Sequence, residues 1–282
     1  MTGAGAGGAL VLVGTPIGNL GDLTPRAVAT LEGADVIVCE DTRRTRQLLT
    51  HAGIRGRRLV AVHAHREARS VAQVVAWLRE GKRVVLVSDA GMPAVSDPGA
   101  RLVAAVTAAG LPVEVVPGPS AVLAALVASG LPTDRFAFEG FLPRKGADRA
   151  ARLRQIAAED RTTVIFEAPP RVAATLADLA EVCGAGRRVA VARELTKLHE
   201  EVWRGPLGEA AVLAGAAPAR GEHVIVVAGR PPSEGDLPDE AIEAAVRARL
   251  EAGDSARDAA HAVAEELDVA RRKAYEVALR LR

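Results

Sequence analysis

The run Val84-Val85-Leu86-Val87, followed directly by Ser88-Asp89-Ala90-Gly91-Met92-Pro93-Ala94-Val95-Ser96-Asp97-Pro98-Gly99, decides the fold. Four consecutive apolar residues leave no polar face, so a strand here is buried on both sides, as strands of a parallel sheet are. A buried strand that empties into a long loop of Gly, Pro, Ser and Asp is where open α/β sheets bind ligands, outside the carboxyl ends of their strands. The same composition also serves ordinary turn chemistry, so the loop by itself leaves both readings open.

Outward from this strand the pattern repeats. Apolar runs over 10–13, 36–39, 59–62 and 113–116 read as strands, and helices separate them. Thr24 and Pro25 cap and open one helix, which Gly33 ends. An amphipathic helix over 70–80 stops at Gly81, and another covers 99–109. Repeated β-α units predict a mainly parallel sheet with covered faces. Pro117-Gly118-Pro119-Ser120 breaks the pattern, and Ser120 is read as the cap of a small-residue helix running to 129. A second set of strands follows over 136–141, 163–166, 189–192, 200–203 and 223–227, with helices over 147–159 and 170–182. No helix is expected between 189–192 and 200–203, which predicts antiparallel pairing there. Arg230-Pro231-Pro232-Ser233-Glu234-Gly235 reads as a linker. Beyond it the expected elements are helices, one over 256–267 capped by Ser255 or Asp254 and one over 269–281. The expected fold is therefore α/β, with α/β domains at 1–117 and 118–231 and a small helical domain at 238–282. The last two helices are read either as a helix-turn-helix that meets nucleic acid or as a helical hairpin.

The chain has 282 residues, 49% hydrophobic and 25% charged, an ordinary globular composition rather than a disordered one. No apolar run approaches the roughly 20 residues of a membrane span. Met-Thr-Gly-Ala-Gly-Ala-Gly-Gly at the start lacks the positive charge and apolar core of a secretory signal, so a cytoplasmic protein with no membrane partner is expected. Cys39 and Cys183 stand far apart, and the six histidines, His63 and His65 included, show no metal-ligand spacing. No disulfide and no metal are expected. The net charge of +1 conceals three basic clusters: Arg43, Arg44, Arg46, Arg55, Arg57 and Arg58; Arg144, Lys145, Arg149, Arg152 and Arg154; and Arg271, Arg272, Lys273, Arg280 and Arg282. Separate basic patches fit an anionic polymer that touches several surfaces, or they are solvated helix faces. Glycines in Gly14-Thr15-Pro16-Ile17-Gly18-Asn19-Leu20 would let the backbone approach a ligand closely. Their spacing matches neither the dinucleotide fingerprint nor the phosphate loop of nucleotide triphosphatases, which removes the nicotinamide and ATP readings.

Taken in order, Gly14 to Leu20, Glu40-Asp41-Thr42-Arg43, the loop from Ser88 to Gly99, Pro117-Gly118-Pro119-Ser120-Ala121, Phe166-Glu167-Ala168-Pro169-Pro170-Arg171, Arg193-Glu194-Leu195-Thr196-Lys197 and Gly221-Glu222-His223 resemble the tetrapyrrole-methylase superfamily of S-adenosylmethionine-dependent methyltransferases. Within it, Glu-Asp-Thr-Arg and Arg-Glu-Leu-Thr-Lys resemble the branch that methylates the ribose 2′-O of a cytidine in the decoding region of 16S rRNA. The resemblance spans roughly residues 10–230, and the helical tail fits the same branch. It departs at Ala168 and Pro170, where the family often has Ser and His, so no hydroxyl or imidazole role carries over there.

The resemblance implies a cofactor cleft between two α/β domains, a homodimer, no metal, and S-adenosylmethionine as cofactor. It places Pro16, Asp89, Met92, Ser120, Ala121, Phe166 and His223 around that cofactor; Phe166 is equally readable as a core aromatic at a strand end. Methyl transfer to a hydroxyl needs alignment and help in losing a proton. Asp41 and Lys197 are the candidate bases, while Glu194 and Arg193 each read more simply as members of structural ion pairs. Only four lysines occur, and Lys145 is read as an RNA contact together with Arg144. Arg43 and Arg46 share a helix face with Gln47 and join Arg271, Arg272 and Lys273 as RNA contacts. Aromatics are only 2%, so arginine contacts and RNA shape should outweigh base stacking, and assembled small subunits or late precursors are the expected substrate rather than free RNA. Competing readings are methylation of a tetrapyrrole ring or of a diphthamide precursor through the same cleft, and a nucleic-acid-binding module whose α/β body only senses a small ligand.

Overall fold

A computed structural model of the chain describes residues 8–62, 67–216, 219–231, 239–267, 269 and 271–281. His63, His65, Arg282 and most of the expected linker lie outside the described residues. The first lobe alternates β1 (Leu10–Val13), α1 (Pro25–Glu32), β2 (Val36–Cys39), α2 (Thr42–His51), β3 (Leu59–Ala61), α3 (Glu67–Arg79), β4 (Val84–Leu86), α4 (Ala100–Ala108) and β5 (Val113–Val116). Its sheet runs β3-β2-β4-β1-β5 and every pairing is parallel.

The physical reason is the double-sided apolar character of the strands. Leu10, Leu12, Val36, Val38, Val84 and Leu86 pack into one core with Trp77 and Leu78. Val11, Val13, Ile37, Cys39, Val85 and Val87 pack into another with Ala27, Leu31 and Leu49. Each buried Leu, Ile or Val contributes roughly 1.5–3 kcal/mol, which only a sheet covered on both faces can collect from both sets. α1 begins where the Thr24 hydroxyl accepts a bond from the Ala27 N–H at 3.1 Å, as the sequence suggests.

The second lobe contains α5 (Ala121–Ser129), β6 (Phe136–Phe141), α6 (Gly146–Ala158), β7 (Thr162–Glu167), α7 (Val172–Cys183), β8 (Arg188–Arg193), β9 (Glu201–Pro206), α8 (Leu207–Ala216) and β10 (His223–Val227). Its sheet runs β6-β7-β10-β8-β9. β6 and β7 are parallel, whereas β7-β10, β10-β8 and β8-β9 are antiparallel, so the pairing expected without an intervening helix occurs. Val122, Ala125 and Leu126 of α5 cover one face against Val164, Ala190, Ala192, Val224 and Val226. Leu153, Ile156, Leu176, Leu179 and Leu207 cover the other against Ile165, Val189, Ile225 and Val227.

Three local expectations change. α8 has no counterpart in the sequence reading. β9 runs to Pro206 rather than ending at 203. Ser120 occupies the N-cap position of α5 but makes no side-chain cap bond, so the expected capping is absent.

By contact the chain forms two compact units, Met1–Ala157 with Arg161–Ala228, which holds both lobes, and Ala158–Asp160 with Gly229–Arg282. The smaller unit contains α9 (Asp239–Glu251), α10 (Ala256–Glu266) and α11 (Arg271–Arg280), one helix more than the two expected. Ile242, Val246, Ala256, Ala260, Val263, Ala274 and Val277 form its core. Ser255, rather than Asp254, caps α10 by accepting from the Asp258 N–H. Among the described residues no helix is long and apolar enough to cross a membrane.

Candidate functional site

β1 and β4 lie side by side, so their carboxyl ends deliver Gly14-Thr15 and Ser88-Asp89 to the same edge. There Thr15 and Gly91 exchange backbone bonds of 2.9 and 3.1 Å. The Thr15 hydroxyl donates to the Ser88 carbonyl at 3.3 Å, and the Ser88 hydroxyl lies 3.1 Å from the Ala90 carbonyl. A methyl group added at Gly14 would stand 2.6 Å from both Cα and N of Gly118, and 2.7 Å from Met92 Sδ. This backbone-on-backbone approach brings the first lobe's loops against the turn that opens the second.

Between the lobes lies a cavity of about 370 Å³. Ile17, Gly91, Met92, Val95, Ser96 and Asp97 line it from the first lobe, and Ser120, Ala121, Phe141, Phe166 and His223 from the second. Its size falls within the 300–1,000 Å³ of small-molecule sites, and its walls are largely apolar with a few polar groups, as such sites require. Phe166 stands edge-on to Phe138 at 4.9 Å and near Phe141 at 5.7 Å, so it serves as cavity wall and core aromatic at once. Ala94 and Ser96 have φ of 70° and 60°, a left-handed backbone that costs non-glycine residues energy and clusters at functional loops.

A second cavity of about 310 Å³ shares Ile17, Ala90 and Glu222 with the first and adds Pro16, Arg44, Gln47, Asp89 and Lys197. Five of the seven cofactor candidates, Met92, Ser120, Ala121, Phe166 and His223, thus line the first cavity. Pro16 and Asp89 line its neighbour. Asp89 accepts the Asp41 N–H at 3.1 Å and faces Arg44 at 3.5 Å.

Asp41 and Lys197 are both engaged. Asp41 caps α2 by accepting from the Arg43 N–H at 2.8 Å, and it also binds the Arg43 guanidinium at 2.7 Å. The Arg43 side chain and N–H hold its carboxyl well below the usual range. Lys197 donates to Glu194 at 2.8 Å and to Glu222 at 2.9 Å. Burial pulls the Lys197 ammonium down, but these two bonds outweigh it and raise the group above its ordinary value. A strongly acidic carboxyl and a stabilised ammonium are both poor proton acceptors at neutral pH. Arg193 pairs with Glu201 at 3.5 Å and Glu194 with Lys197 at 2.8 Å, so each stands in an ion pair.

Asp97 is the acidic residue the sequence reading passed over. Burial, then the nearby Glu40 carboxylate, push its carboxyl up to about 6, against a hydrogen bond from Ser88. His223 is held low by burial, against the pull of the Gly221 carbonyl 3.0 Å from Nδ1, and is neutral at pH 7. Glu167 is fully buried at the cavity floor, where it accepts from Ala168 N–H at 2.8 Å and Thr175 hydroxyl at 2.6 Å and pairs with Arg171 at 3.1 Å.

Of the basic candidates, Arg43 and Arg46 are exposed on α2, and Arg144 and Lys145 are exposed between β6 and α6. Arg149 of the same cluster instead binds Asp178 and Thr175 within the fold. Arg271 and Arg272 are exposed in the first turn of α11, with Arg272 also reaching Glu276; Lys273 binds Asp239 at 2.9 Å. Among the described residues no group of three or more His, Cys, Asp or Glu stands together as a metal site would require.

These features are those of a two-lobed α/β methyltransferase, and the chain belongs to the tetrapyrrole (corrin/porphyrin) methylase family, whose model matches residues 9–211. It is 44% identical over 280 residues to the ribosomal RNA small subunit methyltransferase I of Synechocystis sp., covering 97% of this chain and 98% of that protein. It is 51% identical over 226 residues to the enzyme of the same name from Mycobacterium bovis, covering 80% and 79% of the two chains. Among solved structures it is similar to a uroporphyrin-III-C-methyltransferase from Thermus thermophilus, with 26% identity, a TM-score of 0.54, and coverage of 78% and 94%.

Proposed function

We propose that this chain is an S-adenosylmethionine-dependent methyltransferase of small-subunit ribosomal RNA, transferring methyl to the ribose 2′-oxygen of a cytidine in 16S rRNA. The observation that carries the reading is near-full-length similarity to ribosomal RNA small subunit methyltransferase I, combined with a cavity between the lobes. A tetrapyrrole acceptor is supported by structural likeness at 26% identity, which weighs less than the 44% and 51% identity to the ribosomal RNA enzymes.

The residues present fit the cofactor. Gly91 lines the cavity at φ 76°, a backbone that strains any side chain, and a methyl group there would occupy the space beside Ile17 at 3.4 Å and the Pro119 carbonyl at 3.6 Å. Ile17, Met92, Ala121, Phe141 and Phe166 would pack against the flat adenine ring, and Ser96, Ser120 and neutral His223 would supply polar contacts. When bound, S-adenosylmethionine supplies a methyl already activated by its sulfonium. The chain's own work is therefore to align the acceptor, exclude water and take up one proton. Arg44 and Lys197 line the adjoining cavity already paired with carboxylates, Arg44 with Asp89 and Lys197 with Glu194 and Glu222.

Arg43, Arg46, Arg144, Lys145, Arg271, Arg272 and Lys273 are the proposed RNA contacts. Arg272 pairs with Glu276 and Lys273 with Asp239, yet three cations in the first turn of α11 oppose the helix dipole, which favours anions there. A phosphate backbone would offset that placement. A homodimer is the proposed working form, supported by Leu123 and Val127 exposed on α5 and Val212 and Leu213 exposed on α8. No metal takes part in the proposed reaction, and a cytoplasmic location fits a ribosomal substrate.

The experiment that tests the finer claim is nuclease mapping of label transferred from the cofactor to small subunits. Recovery as 2′-O-methylcytidine is expected; recovery on a base would overturn the ribose assignment.

A further inference from the structure

We propose that Asp97 is the catalytic base that accepts the proton of the acceptor hydroxyl. The proposal rests on the methyl-transfer reading above and is carried by the placement of the carboxylates around the two cavities. Glu167 is saturated by Ala168, Thr175 and Arg171. Glu194 and Glu222 both bind Lys197, Asp41 binds Arg43, and Asp89 faces Arg44. Asp97 lines the cavity between the lobes, and no Lys, Arg or His among the described residues forms an ion pair with it.

Its loop is built to hold it there. Ser96, immediately before it, has φ 60°, and Gly99, just after, has φ 131°; a side chain at Gly99 would meet Leu86 Cδ2 at 2.8 Å. The loop therefore turns tightly around Asp97 with its far end against the β4 side chains. Such strain is retained where a side chain must be aimed. Among the described residues the groups around Asp97 are Ser88 and Asp89 after β4 and Glu40 after β2, with Glu167, Glu222 and neutral His223 across the cavity. Burial first, then the neighbouring Glu40 and Asp89 carboxylates, make its carboxylate basic, with a value of about 6, close to that of an efficient base at neutral pH.

The step balances simply. The acceptor O–H bond breaks and its proton passes to a carboxylate oxygen of Asp97; the O–C bond forms as the C–S bond of the methyl donor breaks; the products are a methyl ether, a neutral thioether and protonated Asp97, which then loses its proton to water.

The test compares wild type with Asp97→Asn. The variant should bind S-adenosylhomocysteine within about twofold of wild type by calorimetry, while single-turnover transfer to small subunits falls by roughly 10²–10⁴-fold. Transfer by wild type should rise with pH through about 6, and the variant should lack that rise. A tenfold or greater loss of cofactor affinity would make Asp97 a cofactor ligand and overturn the proposal, as would transfer within threefold of wild type. A readout independent of turnover is thermal melting of the ligand-free protein. Asp97 is harder to ionise folded than unfolded, so Asp97→Asn should raise the melting temperature at pH 8, with the gain vanishing near pH 4. A gain that is the same at both pH values, or absent at both, would overturn the basic carboxylate. Should wild type bind cofactor yet methylate no subunit, the substrate reading fails, and the melting comparison still tests the basic carboxylate that the proposal requires: a pH-independent difference overturns it.

Discussion

Replacing Gly14 by Ala puts a methyl group 2.6 Å from the Cα and N of Gly118 and 2.7 Å from Met92 Sδ. Carbon atoms in ordinary contact are about 3.5–4.0 Å apart, so the shortfall is about 1 Å. Met92 can rotate aside, but Gly118 is backbone and cannot. Gly14 is meanwhile pinned by its N–H bond to Val116 at 3.0 Å and by the Thr15–Gly91 exchange next to it. The turn carrying Ser120 and Ala121 must therefore yield. Overpacking of this kind costs about 1–3 kcal/mol. For a body this size that lowers the melting temperature by about 2–12 °C. A displacement of about 1 Å in a cavity wall is also worth about 10²-fold in transfer rate. Urea and thermal melts measure the first effect, and S-adenosylhomocysteine calorimetry with single-turnover transfer measures the second. Gly186→Ala is the control, because nothing lies within 4 Å of a methyl group there. If Gly14→Ala and Gly186→Ala behave alike in both assays, the Gly14–Gly118 approach does not set the cavity wall and the reasoning is wrong.

Removing the buried carboxylate in Glu167→Ala strands Arg171, Thr175 and the Ala168 N–H and should cost about 3 kcal/mol, the low end for a broken buried pair because Arg171 is partly exposed; Glu167→Gln should cost less, and denaturant melts of the two variants decide. His223 is neutral when folded and easier to protonate when unfolded, so the stability this imidazole confers is complete above its ordinary value of about 6.5 and declines as pH falls from there through its lower folded value. Melting curves of His223→Gln between about pH 7.5 and pH 5 should show a shallower acid-side decline than wild type, whereas parallel curves would remove His223 from that balance. The double variant Arg271→Ala, Arg272→Ala should raise KM for small subunits and reduce the steepness of its salt dependence by about two phosphate contacts, with cofactor binding unchanged; an unaltered KM would remove α11 from the RNA contact.

Much of the fold was legible because both cues were local. β1, β2 and β4 announce themselves as unbroken apolar runs, and Thr24 and Ser255 mark helix starts through hydroxyls that accept from the N–H three residues on. α8 was missed because Leu-Gly-Glu-Ala-Ala-Val-Leu-Ala-Gly-Ala has small and apolar residues on every side and two glycines, so no 3.6-residue period stands out. The site was legible only in part for a different reason. Gly14, Met92 and Phe166 belong to recognisable motifs, but the properties of a carboxylate depend on what folding brings beside it. Lys197 meets Glu222, 25 residues on, and Asp97 meets Glu40, 57 residues back. Asp41 was the more readable case, since an Asp immediately before a helix is a cap signature, and the structure shows it capping.

The central claim is that this chain moves a methyl group from S-adenosylmethionine to small-subunit ribosomal RNA. Its most direct test incubates the protein and labelled cofactor with small ribosomal subunits from a methylation-deficient strain, with uroporphyrinogen as a parallel acceptor. The account predicts label in 16S rRNA and none in the porphyrin. Label in the porphyrin alone, or in neither acceptor while the cofactor is demonstrably bound, would contradict it.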